Sequence, residues 1–173
     1  MNENPKLLVG LGNPGPKYEL TRHNAGFQFL DLLAKSSQVG FKKSSKLHSQ
    51  IAKTNRFFLC KPLTFMNRSG ISVKSVSAFY SVNPKDIYVI HDDLDIKLGE
   101  YKIQFAKGPK DHNGILSIQK TLHTSKFWRI RVGIDNRKAG NRVDGEVYTL
   151  QNFAPQEFDI LQSVFQKIVN DLP

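Results

Sequence analysis

The chain has 173 residues, with 25 Lys and Arg against 15 Asp and Glu and a formal net charge of +10. One compact domain over residues 1–173 is expected, since a chain of about 150 residues buries roughly 70% of its unfolded surface without covalent staples. Its single cysteine, Cys60, excludes a disulfide framework or a Cys-rich zinc site; no apolar run nears the ~18 residues of a membrane span and the opening MNENPK lacks a signal peptide's hydrophobic stretch, so a cytoplasmic protein with no membrane contact is expected.

Residues 6–11 (KLLVGL) form a continuous apolar run before a turn, the pattern of a buried strand. From residue 25 onward, Phe27, Leu30, Leu33 and Ala34 share one helical face. Residues 57–60 (FFLC) read as a second buried strand, ended by Pro62. Ile71, Val73, Val76 and Phe79 or Tyr80 suggest a helix, and residues 87–90 (IYVI) a third buried strand. Residues 99–105 alternate like an exposed strand, and residues 115–122 read as a helix after His112-Asn113-Gly114. Residues 128–134 (WRIRVGI) alternate again, and residues 155–172 make an amphipathic helix with Phe158, Leu161, Phe165 and Ile168 on one face. Ser44-Ser45-Lys46 is the only linker-like stretch and is too short to separate domains. Apolar strands alternating with helices predict a single-domain α/β/α sandwich with a mixed, mostly parallel twisted sheet.

The charge is uneven. Residues 1–90 carry 13 basic and 4 acidic side chains and residues 97–142 carry 11 and 3, while His91-Asp92-Asp93-Leu94-Asp95 is an acidic spot between them. Residues 143–173 are acidic, with five acids and one lysine. A basic body of this kind suits a polyanionic partner.

Three polar side chains, Asn13, Asn67 and Asp92, follow the three buried strands. Ligands of open α/β sheets bind beyond the carboxyl ends of strands, so the three predict one shared cleft. His23, just before the first helix, can look into it. With Asp92 it would form a base and its orienting carboxylate. No G-x-S-x-G elbow is present and Cys60 lies in an apolar strand, so water is the simplest nucleophile. Asn13, Asn67 and Asn113 could then orient water or stabilise an oxyanion. Two other readings compete. Gly10-Leu11-Gly12-Asn13-Pro14-Gly15 matches the dinucleotide fingerprint, but Pro14 and Pro16 stiffen the turn where a helix should open. His91, Asp92, Asp93 and Asp95 could ligate a metal, although metal ligands normally converge from several segments. His48, His112 and His123 show no ligand spacing among themselves.

These residues fall within VGLGNPGPKYELTRHNAGF (9–27), KPLTFMNRSG (61–70), HDDLD (91–95), HNG (112–114) and RIRVGI (129–134). In order and spacing the blocks resemble the bacterial-type peptidyl-tRNA hydrolases over nearly the whole chain. The resemblance implies metal-independent, cofactor-free hydrolysis of the ester joining a peptide to the 3′ end of tRNA. It implies a monomer that recycles tRNA from abandoned translation. It casts His23 as general base, Asp92 as its orienter and Asn13 as the residue separating blocked from free aminoacyl groups. Tyr18, Phe65, Asn67 and Asn113 match positions that contact the tRNA 3′ end or the peptide. Lys102 and Arg131 are candidates for acceptor-stem phosphates.

Two departures stand out. The glycine-rich stretch usual before His-Asn-Gly reads Lys107-Gly108-Pro109-Lys110-Asp111 here, and Gln104 occupies a position that is often basic. Lys107 or Lys110 is the candidate substitute for a missing phosphate contact. The chain also stops soon after its last helix, where many members continue. A non-catalytic RNA-binding module on the same scaffold is the competing function, although a mere binder has no need of a base.

Overall fold

A computed structural model describes residues 5–140 and 142–173. Seven strands form one mixed sheet: β1 (Lys6–Gly10), β2 (Lys42–Ser44), β3 (Ser49–Lys53), β4 (Phe57–Pro62), β5 (Ile87–Lys97), β6 (Tyr101–Phe105) and β7 (Trp128–Asp135). Their order is β2-β3-β4-β1-β5-β7-β6. The four central strands, β4, β1, β5 and β7, run parallel, and the three outer pairings are antiparallel. The sheet is thus more evenly mixed than the apolar runs predict. The difference is the β2–β3 hairpin, whose short, lysine-bearing edge strand has no apolar alternation.

Five α-helices complete the described chain: α1 (Ala25–Ser36), α2 (Ser69–Phe79), α3 (Asn113–Leu122), α4 (Gly145–Thr149) and α5 (Pro155–Asp171). Strand periodicity sorts the core into two layers. Leu8, Tyr88, Ile90, Ile130 and Val132 pack against α1 and α5 through Phe29, Leu30, Leu161 and Phe165. Leu7, Val9, Val89 and Cys60 pack against α2 and α3 through Val73, Val76, Ile115 and Ile118. The α/β/α sandwich follows. On α1 the fully buried aromatic is Phe29, not Phe27, because Phe27 turns toward Gly12 and the Lys61 ammonium. On α2, Phe79 is exposed, since the helix ends there and its last turn passes beyond the core. Cys60 is fully buried, and burial pushes its thiol up to about 12.

The region after β1 disposes of the dinucleotide reading. Chain 11–24 contains two 3₁₀ turns, Pro16–Tyr18 and Arg22–Asn24, and α1 begins only at Ala25. No helix N-terminus therefore opens among the glycines. Gly10 serves packing instead: a Cβ there would stand 2.3 Å from the carbonyl oxygen of Gly26, and one on Gly26 would stand 2.4 Å from the Ile90 oxygen. The pair lets α1 lie directly on the β1–β5 junction. Gly26→Ala would force backbone atoms apart, and overpacking of this kind costs about 1–3 kcal/mol. We expect it to lower Tm by several degrees in thermal unfolding, with the far-UV spectrum preserved.

Candidate active site

The site lies where β5 outlasts β1. The last β1–β5 pair is Gly10 with Ile90, while β5 continues against β7 through Asp92–Val132 and Asp93–Gly133. Asp92 is therefore inside a strand and not beyond its end, as the apolar run had suggested. Two residues past its last β1 partner, however, it meets the space that β1 has vacated. Three segments close around it: chain 11–24 after β1, residues 63–68 after β4, and the start of α3.

Asp92 is 2% exposed and its carboxylate is shared by two imidazoles. Nδ1 of His23 lies 2.9 Å from Oδ1 and 3.0 Å from Oδ2. Nε2 of His112 lies 2.9 Å from Oδ1. The protein fixes both tautomers. His112 caps α3, and its Nδ1 accepts the backbone N–H groups of Gly114 and Ile115 at 3.2 and 3.4 Å. That nitrogen carries no proton, so Nε2–H donates to Asp92. His23 donates its Nδ1–H to the same carboxylate, so in the neutral ring Nε2 is the nitrogen without a proton and can act as a base. The His112–Asp92 contact is not predicted from the sequence. The available signal was the place of His112 immediately before a predicted helix start.

Electrostatics reinforce the arrangement. Burial by itself lowers the pKa of His23, but the Asp92 charge and hydrogen bond outweigh it and raise the value above 6.5. Burial also opposes ionisation of Asp92, yet His23 and His112 hold its carboxyl well below the usual range. His91 is separate: it is fully buried, its Nδ1 bonds the Asp92 carbonyl at 2.7 Å, and burial pushes it down to about 3.

Asn13 also lines the cleft. Its backbone is clasped by the Asn24 side chain, which accepts its N–H at 2.8 Å and donates to its carbonyl at 2.9 Å. Its side-chain Oδ1 accepts the Met66 N–H at 2.8 Å. That bond fixes the amide orientation, leaving Nδ2 as a donor with no acceptor among the described residues. The close approach of α3 to Met66 depends on Gly114, where a Cβ would sit 2.6 Å from the Met66 sulfur.

The cleft has a volume of about 510 Å³ and is lined by Asn13, His23, Phe65, Asn67, Asp92 and Asn113 among others. Four further acids, Asp93, Asp95, Asp111 and Glu146, also line it, and no Lys or Arg does. Tyr18 stands outside the lining, edge-on to the exposed Phe65 ring at 6.4 Å. Lys102, Lys107 and Lys110 are exposed on β6 and the following loop. Arg131 is not free in the same way. Its Nε donates to Asp93 at 2.7 Å and one terminal nitrogen donates to Gln104 at 2.8 Å. Gln104 thus orients Arg131, a task a second cation at that position could not perform.

A metal ligand set does not form from His91, Asp92, Asp93 and Asp95, because Asp93 is paired with Arg131 and His91 bonds backbone. His23, Asp92 and His112 do bring ligand atoms within 4.8 Å of one another. A cation there would have to displace both histidine–carboxylate hydrogen bonds. The constellation has the form of a buried carboxylate orienting a histidine base, with a fixed amide donor in the same cleft.

Fold and site define an α/β sandwich with the parts of a water-activating hydrolase. The family model for peptidyl-tRNA hydrolase matches residues 7–173. The peptidyl-tRNA hydrolase of Citrifermentans bemidjiense is 45% identical over 174 residues, covering 96% of this chain and 89% of that protein. That of Desulfitobacterium hafniense is 40% identical over 166 residues, covering 94% and 88%. The crystal structure of the Acinetobacter baumannii enzyme superposes with a TM-score of 0.85 at 35% identity, over 94% of this chain and 84% of that one. The chain belongs to the peptidyl-tRNA hydrolase family.

The dyad makes a signed pH prediction. The imidazolium–carboxylate attraction stabilises the fold fully below the unfolded histidine value near 6.5 and is lost as pH rises through the raised folded value. The base form appears over that same rise. We expect the His23 ring to titrate above 6.5 by NMR, and Asp92→Asn to move it below 6.5, since burial then acts unopposed.

Proposed function

We propose that this protein hydrolyses the ester of peptidyl-tRNA, with His23 as general base, Asp92 as its orienter and Asn13 as the donor that selects N-blocked substrates. The observation that carries the reading is the His23–Asp92–His112 hydrogen-bond set in the same cleft as the fixed Asn13 amide. His23 Nε2 takes a proton from water as the water attacks the ester carbonyl. The imidazolium so formed is stabilised by Asp92, whose charge His112 keeps in place. The proton then passes to the departing 3′ oxygen of the tRNA, and the peptide leaves as a carboxylic acid.

Selectivity follows from the direction of the Asn13 hydrogen bond. An N-blocked residue presents an amide carbonyl, an acceptor for Nδ2. A free aminoacyl group presents an ammonium, which is itself a donor. Donor facing donor leaves both unpaired, and a site built for one polar partner rejects the wrong one by up to about 10⁴–10⁵. Asn67 and Asn113, on the exposed cleft rim, supply further contacts to the peptide backbone or the terminal nucleotide. Phe65, braced by Tyr18, offers a ring face for a base.

The whole chain, residues 1–173, acts as one catalytic domain in this reading, as a monomer in the cytoplasm. No described helix is long and apolar enough to cross a membrane. The acceptor-stem phosphates lie outside the acidic cleft, on Lys102, Lys107 and Lys110 and on the remaining terminal nitrogen of Arg131. Phosphate contacts of this kind give affinity that falls with salt.

His23→Ala should reduce kcat on N-acetyl-aminoacyl-tRNA by about 10²–10⁴, the usual contribution of a general base. Wild-type rate in that variant would refute the assignment. Asn13→Asp keeps an acceptor for the Met66 N–H but removes the donor. We expect its kcat/KM for the N-acetylated substrate to fall by at least about tenfold, and its preference over free aminoacyl-tRNA to narrow. Both substrates are followed by release of labelled amino acid. Tight tRNA binding by the wild type without turnover would support the non-catalytic module instead.

A further inference from the structure

The base His23 sits on a single 3₁₀ turn, Arg22–Asn24, which has too few internal bonds to hold a side chain in place. Asn24 anchors one side of the turn to Asn13. Arg22 anchors the other, and it does so through buried charge. Arg22 is 6% exposed and Glu157, in the first turn of α5, is 7% exposed. A terminal nitrogen of Arg22 donates to Glu157 Oε2 at 2.7 Å, and the other donates to the Asn152 carbonyl at 2.9 Å. The guanidinium lies 4.0 Å over the Tyr148 ring of α4. Backbone bonds from Arg22 to Gln151 and from Phe153 to Leu20 lie alongside it.

Glu157 is the branch point. Its Oε2 also accepts the Ala154 N–H at 2.8 Å, and its Oε1 accepts the Asn136 side chain at 3.0 Å. Asn136 directly follows β7, and its N–H donates to the Tyr148 hydroxyl, which in turn donates to the Ile134 carbonyl. β7 is the strand that pairs with Asp92. One side of the dyad is therefore fixed by β5–β7, and the other is tied to the end of β7 through Glu157.

We infer that Arg22 and Glu157 are positioning residues, which hold the His23 ring in register with Asp92 and with the bound ester. Neither lines the cleft, so neither touches substrate. A buried ion pair is seldom the most stable filling for its space; apolar residues of similar volume often serve stability as well or better. Its directional bonds, however, fix a geometry that an apolar pair would leave loose. A displacement near 1 Å at a reacting group can cost about 10² in rate.

The inference rests on the esterase reading for its kinetic arm, and the spectroscopic arm keeps the two separable. Glu157→Gln keeps the shape but removes the charge; Arg22→Lys keeps the charge but removes the fork. The double variant Arg22→Met, Glu157→Leu replaces the pair with apolar volume. Kinetics on N-acetyl-aminoacyl-tRNA, Tm and the NMR titration of His23 are measured for each, below its Tm. We expect both single variants to lose about tenfold to 10² in kcat with KM within about twofold. His23, whose charged and titratable neighbours are Asp92 and His112, should titrate lower as its contact with Asp92 loosens. The double variant should regain Tm while kcat stays low and His23 stays shifted. Recovery of kcat together with Tm, or wild-type kcat and His23 titration in folded single variants, would overturn the inference. If the wild type does not hydrolyse the substrate, the esterase reading fails, and an unmoved His23 titration in Glu157→Gln would still overturn this one.

Discussion

A buried carboxylate is the constraint around which this molecule is arranged. Asp92 has almost no contact with water, and an unpaired ion there would cost several kcal/mol. Protonation would relieve that cost but would remove the partner of His23. The structure avoids this with two imidazole N–H donors on one carboxylate, one from each side. The donors have unequal freedom. His112 is committed on both nitrogens, since Asp92 occupies one and the α3 backbone the other. His23 is committed on one nitrogen alone. The asymmetry sets the two histidines apart, although both meet the same oxygen.

The sheet makes this placement possible. Were β1 as long as β5, its backbone would cover Asp92 and leave no cleft. Ending β1 at Gly10 while β5 runs on to Lys97 opens one side of β5 and keeps the other paired to β7. The glycines hold the surrounding pieces close. Gly10 and Gly26 let α1 approach the sheet, and Gly114 lets the start of α3 approach Met66. These are packing requirements, but their effect is to bring two distant segments within hydrogen-bond reach of one carboxylate, with a third, residues 63–68, bonded to Asn13.

Much of this was legible in the sequence. Continuous apolar runs marked the central strands because both their faces are buried. The shared cleft followed from polar residues near the ends of those runs, and His23, Asp92 and Asn13 do meet there. Periodicity could not reveal the β2–β3 hairpin, whose edge strand has no buried stripe, or α4, which is shorter than two helical turns. It also put Phe27 on the buried face of α1 and left Phe79 and Tyr80 as alternatives on α2, of which Tyr80 packs against the core, because 3.6-residue spacing does not say where a helix axis points. His112 and the Arg22–Glu157 pair were invisible for another reason. Their roles depend on contacts spanning 20 and 135 positions, and no local pattern marks such a partner.

The net charge of +10 takes on a more definite form beside the cleft lining. The cleft holds acids and amides and no Lys or Arg, whereas the lysines of β6 and its loop stand exposed outside it. Under the proposed function, such a field would keep phosphates at the rim and leave the interior to the ester and its peptide. It also attracts an ammonium, the group a free aminoacyl-tRNA carries. Long-range attraction therefore works against the selectivity proposed for the site. Discrimination must then arise at hydrogen-bond range, where the fixed direction of the Asn13 amide opposes the field. In the proposed reading the Met66 backbone N–H, by dictating that direction, matters as much to specificity as the side chain it holds.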